Sequence, residues 1–184
     1  MEWIKGGVVA PEGFRTYATA SGIKKEGLDL AVIHSEKPCT YAGVFTKNVV
    51  KAVPVVWNMK QLENHECIKA VIINSGNANA CTGALGEKHA LISATTLVEQ
   101  MGLRRDEILL ASTGVIGVPL PIECLVGGIG KIVPQLSRSY ESGNLSAKAM
   151  MTTDTYAKEA AIAIELDGRV ITVGGMAKGS GMIH

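Results

Sequence analysis

Short segments rich in glycine constrain the fold of this chain more than any other feature of its sequence. Glycine accounts for 21 of the 184 residues, about 11% against a usual ~7%. Three such segments follow or end predicted strands: the first glycine segment (74–83), the second (111–117) and the third (173–184). Because glycine permits positive φ and close backbone approach, we interpret these segments as parts of a folded site rather than as flexible linkers.

Apolar patterning between these segments predicts both strands and helices. Beyond two short strands in the first 25 residues, strands are predicted at 28–34, 40–46, 49–56, 68–74, 107–111, 160–166 and 170–173. Helices are predicted at 87–101 with Gly102 after the last turn, at 121–136, and at 144–151 with Asn144 as N-cap. The Asp167-Gly168 pair predicts a hairpin between the last two strands. We therefore expect one mixed α/β domain over residues 1–184 with antiparallel or mixed pairing.

Charge and cysteine usage exclude several classes of protein. Lys plus Arg number 18 and Asp plus Glu 17, a net charge of +1, so binding to nucleic acid through phosphate contacts is not expected. No uncharged stretch reaches the ~20 apolar residues of a membrane helix, and the N-terminus lacks a secretory signal. The four cysteines lack C-x-x-C spacing, which predicts reduced thiols and no metal site. We therefore expect a cytoplasmic protein that binds neither nucleic acid nor a membrane.

Each glycine segment has a catalytic and a structural interpretation. The first can aim backbone donors at a ligand, or it can be a turn-rich strand exit. In the second, the Thr113 hydroxyl and the unobstructed Gly114 N–H are the two donors that an oxyanion hole requires, and the alternative is an ordinary strand-to-helix turn. In the third, Lys178 lies among glycines and suits a small carboxylate, or it is a solvated surface lysine.

Three further motifs accompany the glycine segments: GGVVAPEGF at 6–14, AGVFTKN at 42–48 and MTTDT at 151–155. Each motif alone is weak, but their order and joint presence are specific. Together with the glycine segments they resemble the ornithine acetyltransferase family, also called glutamate N-acetyltransferases, of the arginine pathway. The resemblance covers nearly the whole chain.

That resemblance implies a particular assembly and reaction. Family members are precursors that cleave themselves into an α and a β chain, so residues 1–184 are expected to be an α-chain domain, incomplete without its C-terminal β chain. The implied fold is a four-layer αββα sandwich of the N-terminal-nucleophile type, completed together with the β chain in an α2β2 heterotetramer. The nucleophile, the N-terminal Thr of the β chain, is not in this chain. It carries acetyl from N2-acetylornithine to glutamate without a cofactor. Some members also accept acetyl-CoA, and no residue here decides that.

The resemblance also implies roles for individual residues. Thr113 and the Gly114 N–H match the oxyanion pair of the family. Lys178 matches the residue that holds the α-carboxylate of the substrate. Thr152 matches a second substrate contact, and Thr153 is its alternative because one residue of misalignment would exchange the two. Asn77, in the first glycine segment, is a further candidate for substrate binding.

Two other functions fit the same sequence. One is a related self-processing aminopeptidase, which shares the N-terminal nucleophile but hydrolyses peptides. The other is a non-catalytic α/β ligand-binding domain whose glycine segments serve only as turns. A downstream segment that begins with Thr or Ser in the same gene would favour an enzyme, and the first two glycine segments favour the acetyltransferase over the aminopeptidase.

Overall fold

The structure is a computed structural model that describes residues 1–65 and 67–180. Its strands are β1 (Glu2–Ile4), β2 (Phe14–Thr19), β3 (Leu30–Thr40), β4 (Cys67–Asn77), β5 (Ile108–Val115), β6 (Lys158–Leu166) and β7 (Arg169–Ala177). Its helices are α1 (Val53–Asn64), α2 (Gly83–Met101), α3 (Ile122–Ile132) and α4 (Tyr140–Ala149). Short 3-10 turns lie at Gly7–Val9, Arg105–Glu107 and Val133–Gln135. The predicted mixed α/β class is confirmed.

The strands form two sheets. One has the order β2-β3-β4-β5, in which only β4 and β5 are parallel, and the other has the order β1-β6-β7 and is antiparallel. Because parallel strands end at the same edge of a sheet, the β4–β5 pair brings the first and second glycine segments side by side. The sequence left antiparallel and mixed pairing both open, and it is the mixed pairing of this sheet that positions the candidate site.

The two faces of the four-stranded sheet bury different cores. Leu30 and Val32 point to the face that α2 and α3 cover, and Ala31 between them points to the face that α4 covers, as strand alternation requires. The first core is large and aliphatic, whereas the second is built around alanines. Met176 of β7 packs against the second core, which links the two sheets.

Two predicted strands, 40–46 and 49–56, are wrong. β3 ends at Thr40, residues 41–52 form neither strand nor helix, and α1 begins at Val53. The run of β-branched residues indicated a strand. Pro54, however, fits the first turn of a helix, where N–H groups have no acceptor within the helix and its missing N–H costs no hydrogen bond. The burial of Trp57 decides the outcome, since it packs on the main core and its indole N–H donates to the Ile108 carbonyl at 2.9 Å.

The helix ends show how well caps can be inferred. Gly102 is left-handed with φ +65° and its N–H donates to the Val98 carbonyl, as predicted. The predicted N-cap Asn144 is wrong, because α4 begins earlier and Ser139 caps it by accepting from the Ser142 N–H at 3.1 Å. Asn144 lies inside the helix and its amide donates to the Glu159 carboxylate at 2.8 Å. A tertiary contact therefore occupies the side chain that resembled a cap.

The remaining predicted elements are confirmed within a few residues. Strand 68–74 is the centre of β4, helix 87–101 is most of α2, and helix 121–136 becomes α3 and the 3-10 turn after it. Asp167 and Gly168 have φ of +51° and +73°, as a tight hairpin turn between β6 and β7 requires. Within the part of the chain described above, none of the helices is both long and apolar enough to cross a membrane.

Candidate active site

The second glycine segment is held against β4 at the end of β5. Ser75 pairs with Thr113, and Gly76 pairs with Gly114. Gly114 has φ +137°, and a Cβ built on it would overlap the carbonyl carbon of Gly76. Glycine is therefore required for the two strand ends to lie this close. The approach fixes the backbone of Thr113 and Gly114 without any contribution from a ligand.

Buried polar side chains secure the same strand ends. The Ser112 hydroxyl donates to the Asn74 side-chain oxygen at 2.6 Å, and the Asn74 amide donates to the Asn77 carbonyl at 2.8 Å. Thr113 is half-buried and Gly114 is exposed, so both predicted oxyanion donors lie at the surface of this chain. The structure therefore places the pair where a second polypeptide or a substrate can reach it.

Asn77 contacts backbone on both sides of the strand end. Its amide donates to the Val118 carbonyl at 3.0 Å and the Pro119 carbonyl at 3.3 Å, while its side-chain oxygen accepts from the Asn79 N–H at 2.8 Å. These bonds tie the loop after β4 to the loop after β5. A direct contact of Asn77 with substrate stays a prediction.

The other predicted residues gather around Asp154, which sequence reasoning missed. Its carboxylate accepts hydrogen bonds from Lys158 Nζ at 2.9 Å, from the Thr152 N–H at 3.2 Å and from the Gly179 N–H. Lys178 Nζ lies 3.9 Å from Asp154 Oδ2. The side chain of Asp154 is 1% exposed. One buried carboxylate thus brings together Thr152 and Lys178, which are 26 positions apart in sequence.

The hydrogen bond from Lys158 lowers the pKa of Asp154 well below its usual range. The N–H groups of Thr152 and Gly179 lower it further, and burial opposes them. Asp154 is therefore an anion at physiological pH. Beside it lies an open cleft of about 410 Å³. Its lining is Thr153, Asp154, Thr155, Tyr156, Lys158, Gly179 and Ser180.

The side chain of Lys178 is 22% exposed, so it is not a fully solvated lysine. Thr152 and Thr153 are both exposed, and Thr153 lines the cleft. Residues 181–184 of the third glycine segment lie outside the described residues. The structure therefore places the predicted residues in two groups. One is the strand-end pair (Thr113 and Gly114), and the other is the Asp154 cluster (Thr152, Asp154, Lys158, Lys178 and Gly179).

Lys24 connects the two groups, and no pattern in the sequence pointed to it. Its Nζ donates to the Met151 carbonyl at 3.2 Å, directly before Thr152. A Cβ on Gly76 would lie only 2.7 Å from the Cγ of Lys24. The absence of a side chain at Gly76 therefore leaves room for the lysine stem. Burial lowers the pKa of Lys24, and the charge of Asp29 opposes that shift.

Asp29 sets the position of Lys24. Its fully buried carboxylate accepts from the Ser21 N–H and hydroxyl at 2.6 and 2.8 Å, from the Gly22 N–H at 3.1 Å and from the Lys24 N–H at 2.9 Å. Four bonds from one short loop hold that loop in a single shape. Lys24 is thus presented from a rigid support.

Within residues 1–65 and 67–180, no three His, Cys, Asp or Glu side chains are grouped so as to hold a metal ion. What the arrangement offers is a hydroxyl and an N–H at a strand end, and ammonium groups near a buried carboxylate. Such groups suit a substrate that develops negative charge at one end and carries a carboxylate at the other.

Comparison with known proteins identifies relatives of this chain. The model of the ArgJ family matches residues 15–184. The arginine biosynthesis bifunctional protein ArgJ of Gloeobacter violaceus is 46% identical over 184 residues, which are 100% of this chain and 45% of that protein. This chain therefore spans less than half the length of that relative.

Two solved structures share the fold. The arginine biosynthesis bifunctional protein ArgJ of Bacillus halodurans gives a TM-score of 0.91 at 34% identity, covering 100% of this chain and 96% of that chain. Ornithine acetyltransferase from Mycobacterium tuberculosis, complexed with ornithine, gives a TM-score of 0.90 at 38% identity, covering 100% of this chain and 97% of that chain. The resemblance drawn from the motifs is confirmed, and this chain belongs to the ArgJ family.

Proposed function

We propose that this chain is the α chain of an acetyltransferase that moves the acetyl group of N2-acetylornithine to glutamate in arginine biosynthesis. The observation that carries the proposal is the pair Thr113 and Gly114, held at a strand end by the close approach of Gly114 to Gly76. Relatives named for arginine biosynthesis and a structural neighbour named ornithine acetyltransferase support the choice of substrates.

The lengths of the relatives support a two-chain protein. The Gloeobacter relative is about twice as long as this chain, yet the solved Bacillus and Mycobacterium chains are covered to 96% and 97%. A solved chain of this length is what cleavage of a longer precursor would give. The remaining part is proposed to supply a β chain that completes the four-layer sandwich and assembles with this chain as α2β2.

In the proposed mechanism, the N-terminal Thr of the β chain attacks the acetyl carbonyl of N-acetylornithine. The electron pair of the C=O bond moves onto oxygen, where the Thr113 hydroxyl and the Gly114 N–H stabilise the charge. Collapse breaks the C–N bond, and the ornithine amine leaves with the proton that the Thr hydroxyl gave up in its attack. The glutamate amine then attacks the acetyl-threonine, and the reverse sequence releases N-acetylglutamate and the free Thr.

The Asp154 cluster binds the other end of the substrate. Lys178 pairs with the α-carboxylate, and Thr152 or Thr153 adds a hydroxyl contact. Binding at a charge remote from the reacting carbonyl orients that carbonyl towards the two donors. All four cysteines are free, which is usual for a reducing compartment and supports a cytoplasmic location.

The test is an acetyl-transfer assay on the product of the full-length gene, with N-acetylornithine and with acetyl-CoA as donors because the relatives are called bifunctional. Thr113→Ala is expected to lower kcat about 10²–10³-fold with little change in KM, since the interaction forms in the transition state. Thr113→Ser, which keeps the hydroxyl, is the matched control.

Mass and N-terminal sequence of the purified protein give the second measurement. A copurifying chain that begins with Thr, and a mass that fits α2β2, are expected. Peptide hydrolysis without acetyl transfer would favour the aminopeptidase. Binding of a ligand without turnover, by an uncut chain, would favour the non-catalytic domain.

A further inference from the structure

Two lysines approach the same buried carboxylate at unequal distances. Lys158 Nζ lies 2.9 Å from Asp154 Oδ1, whereas Lys178 Nζ lies 3.9 Å from Oδ2. We propose that Asp154 is a positioning residue: it holds Lys158 as its own counter-ion and thereby leaves Lys178 available for the carboxylate of the substrate. The inference rests on the proposed acetyl transfer and adds a residue to it.

Lys158 is held by three groups. Besides Asp154, its Nζ donates to the Tyr156 carbonyl at 3.4 Å and lies 4.5 Å from the centre of the Tyr156 ring. An ammonium in this position has a hydrogen-bonded anion on one side and an aromatic face on another. Lys158 is therefore committed to the structure of the cleft wall.

Lys178 has weaker partners. At 3.9 Å its contact with Asp154 is longer than a hydrogen bond, and its hydrogen bond at 3.0 Å goes to the carbonyl of the next residue, Gly179. A substrate carboxylate can replace that neutral acceptor with a charged one. Exchange of the neutral carbonyl for an anion adds the attraction between two opposite charges to the hydrogen bond.

Asp154 also fixes where Lys178 lies. It accepts from the Gly179 N–H, and a Cβ on Gly179 would overlap the Asp154 carboxylate. Glycine at this position lets the backbone come that close. The same carboxylate accepts from the Thr152 N–H, so one anion sets the spacing between both predicted substrate contacts.

The charges of these three side chains give the ligand class. Two ammonium groups and one carboxylate leave one positive charge without a full counter-ion. A group with a single negative charge, such as one α-carboxylate, balances it. Because Lys158 keeps Asp154 from pairing fully with Lys178, removal of Lys158 acts on the substrate through Lys178, and that dependence makes the assignment testable.

The experiment uses the full-length protein and measures KM for N-acetylornithine and kcat. Asp154→Asn keeps an acceptor oxygen for only one of the two N–H groups, because they bond to different carboxylate oxygens, and it therefore disturbs the placement of Thr152 and Lys178. Lys158→Met leaves Asp154 unpaired, so that it draws Lys178 into a full ion pair. Each single variant is expected to raise KM about 10-fold, the scale of one weakened charge-assisted bond, and to change kcat less than threefold.

The double variant Lys158→Met/Lys178→Ala decides between positioning and simple structural support. If Lys158 acts on the substrate through Lys178, its removal is expected to change KM less than threefold relative to Lys178→Ala alone. Independent losses of structural support would instead multiply, and KM would rise about 10-fold above that of Lys178→Ala. Glu36→Gln, in the exposed ion pair with Arg15, is the matched control and is expected to leave KM unchanged within twofold.

Additive effects in the double variant, or unchanged KM in both single variants, would overturn the inference. If Asp154→Asn does not fold, Lys158→Met alone decides, because an unchanged KM there contradicts the capture of Lys178 by Asp154. A wild-type protein without acetyl transfer would overturn the proposed function itself, and it is recognised before any variant is compared.

Discussion

The strand-end pair and the Asp154 cluster are built by opposite means. Thr113 and Gly114 are fixed by strand pairing and by the absence of a side chain on Gly114. The Asp154 cluster is fixed by charges on loops, with Lys158 and Lys178 at different distances from one carboxylate. The first arrangement has no net charge, and the second depends on charge.

This difference matches what each region is proposed to do. Donors that stabilise a transition state are most effective when they are in place before the reaction and need no reorganisation. A group that binds and releases two successive substrates must exchange its partners, which a contact at 3.9 Å allows. We therefore expect an added side chain to disrupt the strand-end pair, and the loss of a charged group to disrupt the Asp154 cluster.

Gly114→Ala is expected to have the largest effect. The new methyl group would overlap the Gly76 carbonyl carbon, and φ at this position is +137°. Overpacking and backbone strain together are expected to lower the free energy of unfolding by roughly 2–6 kcal/mol and to abolish activity. Thermal unfolding of the full-length protein and the acetyl-transfer assay measure the two losses.

Gly117→Ala is the control for that change. Gly117 also has a positive φ, +79°, but a Cβ there meets no atom within 4 Å. Strain alone is expected to cost about 1–2 kcal/mol. Equal losses for the two variants would contradict the importance of the close approach between β4 and β5.

Lys178→Ala tests the charged region. Loss of one charge-assisted hydrogen bond, about 1.5–3 kcal/mol, is expected to lower kcat/KM about 10- to 150-fold. Lys178→Arg is expected to restore little, because a planar fork does not replace a compact ammonium. Lys131→Ala, on the exposed surface of α3, is the control. A change within twofold for donor and acceptor would end the carboxylate-anchor role.

Lys24→Met tests the link between the regions. The variant keeps the apolar stem beside Gly76 but loses the hydrogen bond to the Met151 carbonyl. Loss of one hydrogen bond, about 1 kcal/mol, is expected to lower kcat/KM about fivefold. Lys25→Met, at the exposed neighbouring position, is the control. If both variants retain full activity, the two regions do not depend on Lys24 for their relative position.

The sequence predicted the elements whose patterns are local. β4, α2 and the turn at Asp167-Gly168 each have an apolar period or a turn pair that needs no distant partner. It failed at 40–46 and 49–56, where β-branched residues indicated strands. Burial of Trp57 against β5, set by residues 51 positions away, outweighed that local preference.

The residues of the candidate site also divide into those with a local signal in the sequence and those without one. Thr113, Gly114 and Lys178 stood out as candidates because glycine surrounds them, and the family resemblance gave their roles. Asp154 and Lys24 were missed because their contacts cross long stretches of sequence: 25 residues from Asp154 to Gly179 and 127 from Lys24 to Met151. No rule based on the spacing of residues in the sequence predicts such a contact.

Acidification is expected to have the smallest effect, and it should weaken the Asp154 cluster but not the strand-end pair. Asp154 has a pKa below the ordinary aspartate value when folded, whereas in the unfolded chain its pKa is about 3.9. The unfolded chain therefore binds the proton more tightly. The ionised carboxylate stabilises the folded state fully above that ordinary value, and the stabilisation is lost as pH falls towards the lower folded pKa.

Thermal unfolding of the wild type and of Asp154→Asn between pH 7 and pH 3 tests this. The Tm difference between the two proteins is expected to stay constant down to about pH 5 and to shrink below about pH 4. Thr113→Ala removes no titrating group, so its Tm offset from the wild type is expected to stay constant over the whole range. If the Asp154→Asn difference shrinks already between pH 7 and pH 5, the carboxylate is not held as an anion by Lys158, and the contrast between a charge-built region and a backbone-built region loses its basis.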